Sequence, residues 1–137
     1  MSYFDQLISV EKIKPRPKPL WRLNRDLRYL SELVGDFIVV PQGFVTDFAS
    51  VPRMPVAFLL TGGKGDEAAV VHDWLYSTQA FPRAKCDAVF KEALQVMGYS
   101  ASTVNLMYSG VRAGGWVNWG YDNVPQTPEV QAKMVAA

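Results

Sequence analysis

The chain has one cysteine, Cys86, and one histidine, His72. A lone cysteine excludes an intramolecular disulfide and fits a reducing compartment. A lone histidine with no spaced cysteine pair makes poor zinc chemistry, so a transition-metal set of Asp47, His72 and Asp73 is the weaker option. Neither sign of charge dominates: 14 Lys and Arg face 13 Asp and Glu, for a net charge of +1. That balance argues against nucleic acid or an anionic membrane as a broad electrostatic partner. No apolar run reaches the ~18 residues of a transmembrane segment. The start, MSYFDQLISVEK, lacks a basic region followed by an apolar core, so no signal peptide is expected. Internal repeats and long low-complexity segments are also missing.

What is present reads as one domain over residues 1–137, 49% hydrophobic and 20% charged. That composition is enough for a core without disulfide staples. Residues 1–19, which include KIKPRPK, are expected to form an extended N-terminal arm. Residues 122–137 are expected to form a loosely held tail. From Leu20 to Tyr29 the chain is compatible with a strand pair or one irregular strand, and the turn that follows spans Ser31 to Asp36. DFIVV, Asp36 to Val40, is β-branched and aromatic and reads as a strand that Pro41 ends.

The period then changes. Ser50 with Pro52 marks the start of a short helix to about Leu60, which TGGKG breaks. Asp66 caps a second helix, DEAAVVHDWLYSTQ, with acidic residues at the positive end of its dipole. A third helix runs from Arg83 to Met97, with Val89, Phe90, Ala93, Leu94 and Met97 at core spacing and Gly98 as its stop. A fourth covers Ala101 to Arg112. GGWVNWGY, Gly114 to Tyr121, is too glycine-rich to assign. The expected fold is therefore α+β: a small N-terminal antiparallel β part followed by a bundle of three or four helices.

Asp47, His72, Asp73 and Asp87 are polar groups in apolar surroundings. On the helix from Asp66, His72 shares a face with Ala68, Ala69 and Tyr76, and Asp73 points about 100° away. The short connection from Thr78 to Pro82 returns the next helix antiparallel. Asp87, one turn into that helix, can then face His72. A carboxylate on one imidazole nitrogen fixes the tautomer and leaves the other nitrogen as a base for a water or hydroxyl. Asp73 is a hard oxygen ligand of the kind calcium takes. The plainer reading of the same residues is a satisfied, buried polar cluster. Thr46, Asp47, Ser50 and Arg53 read as a self-satisfying loop network before a ligand-lining one. Cys86 reads as a small core residue. Trp116, Trp119 and Tyr121 read as buried against the β part, with an interfacial or partner-binding patch as the alternative.

DEAAVVHDWLY, Asp66 to Tyr76, resembles the active-site helix of secreted phospholipase A2, whose core is HDxxY, and is similar to the capsid-borne viral branch of that family. CDAVF, around Asp87, is similar to the A-D-x-x-F of that branch. The resemblance implies that His72 is the general base for a water, that Asp73 binds calcium, and that Tyr76 helps hold Asp87. Without a metal, the oxyanion would need backbone N–H groups or Arg53. The usual glycine-rich calcium loop is missing, and Asp73 with Asp47 is thin provision for a cation that takes 6–8 oxygens.

GFVTDFASVPR, followed by AAVVHDWLY, Asp87 and MYSGVRAGG, resembles the phage-encoded domain-of-unknown-function family 1353, DUF1353. This resemblance spans Trp21 to Gly115. It implies a phage or prophage origin, in the cytoplasm of an infected bacterium or associated with the virion, and supplies no activity. Two functions therefore compete. One is a hydrolase of lipid or other ester substrates, calcium-dependent or metal-free. The other is a non-enzymatic virion or tail-assembly component, partnered by phage structural proteins, in which the His–Asp cluster is structural. The hydrolase needs one ring nitrogen of His72 on Asp87 and the other facing an apolar-walled cleft. The structural reading needs both nitrogens capped inside the protein.

Overall fold

A computed structural model of the chain describes residues 1–5, 8–14, 20–46 and 66–121. The chain opens with six short strands: β1 (Tyr3–Phe4), β2 (Val10–Lys14), β3 (Leu20–Leu23), β4 (Leu27–Ser31), β5 (Asp36–Val40) and β6 (Val45–Thr46). Three described helices follow: α1 (Asp66–Thr78), α2 (Arg83–Val96) and α3 (Ala101–Tyr121). The strands form two antiparallel three-stranded sheets, in the orders β1-β4-β5 and β2-β3-β6. The fold is thus α+β with an N-terminal antiparallel β part. That part begins earlier than the sequence pattern implies, because β1 and β2 lie within the first nineteen residues and pair with β4 and β3.

The β4–β5 hairpin shows how sequence becomes packing. Alternate residues of a strand point to opposite faces. Leu27, Tyr29 and Ser31 of β4, with Ile38 and Val40 of β5, are buried, while Val39 is exposed. Gly35 closes the turn at φ +77, a conformation other residues adopt with strain. The buried face lies on the helices, and Glu92 of α2 ties it down. Its Oε1 accepts the hydroxyls of Tyr29 and Ser31, each at 2.7 Å, and its Oε2 accepts the Leu33 N–H at 3.1 Å.

Helix α1 is the centre of the molecule. Ala68 to Asp73 and Leu75 to Ser77 are all buried, the all-round burial expected of a helix enclosed by other elements. It packs against β4 and β5 on one side and against α2 and α3 on the other. It ends at Thr78, and Gln79 adopts φ 50. Helix α2 ends in a Schellman arrangement: Tyr99 N–H bonds the Leu94 carbonyl and Gly98 N–H that of Gln95, with Gly98 at φ +87.

Helix α3 differs from expectation. It continues through GGWVNWGY to Tyr121 rather than stopping near Arg112. Each glycine costs a helix interior about 1 kcal/mol relative to alanine. Tertiary contacts offset that cost. Arg83 donates to the carbonyls of Val111 and Arg112, Gln79 donates to that of Trp119, and the Trp119 ring packs edge-on against Tyr76 at 5.1 Å. No helix among the described residues is long and apolar enough to cross a membrane. The expected helix from Ser50 to Leu60 and the tail over 122–137 lie outside the described residues.

Candidate functional site

The four-residue step from His72 to Tyr76, followed by a tight return into α2, brings three expected residues together. His72 Nε2 lies 2.7 Å from Asp87 Oδ1, and the Tyr76 hydroxyl donates to the same oxygen at 2.6 Å. His72 and Tyr76 are one turn apart on α1, so both reach one carboxylate. The helices are antiparallel: Tyr76 meets Asp87, while His72 also reaches Phe90, further along α2. The imidazole sits between the rings of Tyr76, at 4.2 Å, and Phe90, at 4.8 Å. His72 and Asp87 are both 0% exposed.

Asp87 has two further partners. Arg112 of α3 donates to Oδ2 at 2.8 Å, and Arg83 does so at 3.4 Å. Arg83 is four residues before Asp87 on α2, so that pair was legible as an i,i+4 contact. Arg112 carried one signal in the sequence, as the lone charged residue of α3. Four donors from three helices therefore converge on one buried carboxylate. A buried charge survives only when it is paired and hydrogen-bonded, and this one is both.

The charge states follow. Burial pushes the Asp87 carboxyl up, but hydrogen bonds from His72 and Tyr76, attraction to His72 and the Arg112 bond outweigh it and hold the carboxyl below its ordinary value. Burial lowers the basicity of His72 more than Asp87 raises it. The cluster is thus an ionised Asp87 facing a neutral imidazole. A carboxylate at Nε2 requires the proton there, which assigns the lone pair to Nδ1. Burial, and then Asp87, push the Tyr76 hydroxyl up, so it stays a neutral donor.

Asp73 belongs to a different contact. It is buried, and its Oδ2 accepts the Thr46 hydroxyl from the end of β6. His72 and Asp73 are neighbours in sequence but face different elements, α2 and the end of β6, because successive helical residues point about 100° apart. Asp47, Ser50 and Arg53 lie outside the described residues. Among the described residues, no three His, Cys, Asp or Glu side chains are grouped to hold a metal. Asp73 offers one carboxylate with an oxygen already engaged, so the described donor set does not meet calcium's requirement for 6–8 oxygens. Cys86 is buried with its sulfur against the carbonyls of Phe81 and Leu75. Burial and the Asp87 charge push its thiol up to about 11, which removes it as a nucleophile at neutral pH.

A family model described as "Protein of unknown function (DUF1353)" matches residues 21–111, well over half of the chain. The chain belongs to the DUF1353 family. The matched span runs from β3 into α3 and contains Thr46, His72, Asp73, Tyr76, Arg83 and Asp87. No curated protein and no solved structure matches the chain.

Proposed function

We propose that this DUF1353 protein is a hydrolase of lipid or other ester substrates, built on a phospholipase A2-like His–Asp centre and of phage or prophage origin. The observation that supports the reading is the dyad itself: His72 Nε2 at 2.7 Å from Asp87 Oδ1, with Tyr76 on the same oxygen. In this reading Nδ1 of His72 takes a proton from water as the water oxygen bonds the ester carbonyl carbon. The imidazolium, stabilised by Asp87, returns that proton to the leaving alkoxide as the ester C–O bond breaks. Tyr76 holds the carboxylate in place. No step is routed through a metal. The working place of such an enzyme is the cytoplasm of an infected bacterium or the virion.

A second reading has its own support. His72 is wholly enclosed, and Asp87 is already neutralised by two arginines. Both features suit a structural cluster in a virion or tail-assembly component. Two guanidinium groups on Oδ2 also reduce what Asp87 can add to an imidazolium. The test is hydrolysis of a panel of phospholipids and soluble esters, with calcium and with chelator. The hydrolase reading expects turnover that His72→Gln removes, and the two metal conditions decide whether calcium takes part. Folded protein that hydrolyses no member of the panel under either condition overturns it in favour of the structural cluster.

A further inference from the structure

Two cations meet one anion where α2 and α3 pack together. Arg83 and Arg112 both donate to Oδ2 of Asp87, so among the described residues two guanidinium groups face one carboxylate oxygen. The two guanidinium groups differ in what they have left. Arg83 also spends N–H groups on the carbonyls of Val111 and Arg112. Arg112 uses one terminal nitrogen on Asp87, and its side chain is 36% exposed. Its remaining N–H donors have no protein partner among the described residues. A guanidinium carries five donors in a planar fork that matches the oxygens of phosphate. Helix α3 carries no acidic residue, and Arg112 is its only charge in twenty-one positions.

We propose that Arg112, with Arg83 behind it, forms a binding site for a phosphate-class oxyanion. The site is independent of the hydrolase reading, because it lies on the Oδ2 side of Asp87, while His72 and Tyr76 occupy Oδ1. The anion supplies the second negative charge that two convergent guanidinium groups call for, and it accepts the donors of Arg112 that Asp87 does not reach. Its source is either free phosphate or the phosphate of a lipid headgroup.

The experiment follows the Arg83 side-chain Nε–H and the backbone amide resonances of α3 in the isotope-labelled full chain by NMR, signals that the parent and the Arg112 variants share. Inorganic phosphate is titrated at constant ionic strength, with chloride as the control. The expected result is a saturable shift with phosphate and none with chloride. Affinity should fall at least tenfold in Arg112→Gln, and Arg112→Lys, which keeps the charge without the fork, should be weakened too. Equal responses to phosphate and chloride overturn the site, and so does undiminished affinity in a folded Arg112→Gln. If Arg112→Gln does not fold, Arg112→Lys and the comparison of the two anions decide. Co-sedimentation with phosphatidylglycerol vesicles that phosphate competes away assigns the anion to a headgroup, whereas phosphate binding without co-sedimentation assigns it to the free ion.

Discussion

The Nε2 atom of His72 lies 2.7 Å from Oδ1 of Asp87, an oxygen shared with Tyr76, and all three of these residues are completely buried. Replacing the ring by a small side chain would leave a cavity as well as a missing base, so His72→Ala mixes two effects. His72→Gln keeps most of the volume and a donor for Asp87. It should lower ester hydrolysis by about 10²–10⁴-fold, while costing about 1–3 kcal/mol of stability. Paired measurements of turnover and urea unfolding check this. Hydrolysis that persists at the parent rate removes His72 from the mechanism.

Acid should destabilise the protein in two stages. Burial holds His72 below its ordinary 6.5, so below that pH the unfolded ring binds a proton that the folded ring does not. Stability then falls as pH falls, because the unfolded state carries more protons. The Asp87 carboxyl is held below 3.8, and its contribution, present above that value, is lost as pH falls further through its folded value. A melting-temperature series should therefore decline from about pH 6.5 downward and decline again below 3.8. In His72→Gln the upper stage should vanish. A parent protein that gains stability between pH 7 and 5 would contradict the buried neutral imidazole.

Glu92 should matter more to stability than any surface carboxylate. It receives Tyr29, Ser31 and the Leu33 N–H, and so joins the β4–β5 hairpin to α2. Hydrogen bonds to a charged group contribute about 1.5–3 kcal/mol, so Glu92→Ala should cost about 2–4 kcal/mol in urea unfolding. Glu92→Gln keeps the shape and part of the bonding, and should cost less. Equal losses for the two variants would mean that packing, not the carboxylate, holds the hairpin.

Cys86 should be silent in the folded protein. It is fully buried, and its thiol is pushed up to about 11. Labelling by a thiol reagent at neutral pH should proceed at the rate of opening, and become fast in denaturant. Rapid labelling under native conditions would show that the α1–α2 packing opens more readily than its burial implies.

Much of the fold was legible in local chemistry. DFIVV alternates its burial as β5, Asp66 and Gly98 bound the helices they were expected to bound, and the short turn after Thr78 sends α2 back along α1. The dyad followed from the same reasoning, since helix period and turn length together set which side of α2 meets His72. The glycine-rich end of α3 was not legible. Local propensity there is poor, and the helix survives through Arg83, Gln79 and Tyr76, residues distant in sequence.

By itself the sequence determined the period-based elements, the adjacency of His72 and Asp87, and membership of the DUF1353 family through residues 21–111. Only the tertiary structure decided the environment of that pair. Burial is a property of the assembled layers, and it makes the imidazole neutral. The convergence of Arg83 and Arg112 on Asp87 Oδ2 likewise depends on how α3 lies across α2, over a separation of twenty-five residues between Asp87 and Arg112. Long-range packing of that kind leaves no periodic trace in a chain, because the residues that meet are set by helix crossing and not by spacing.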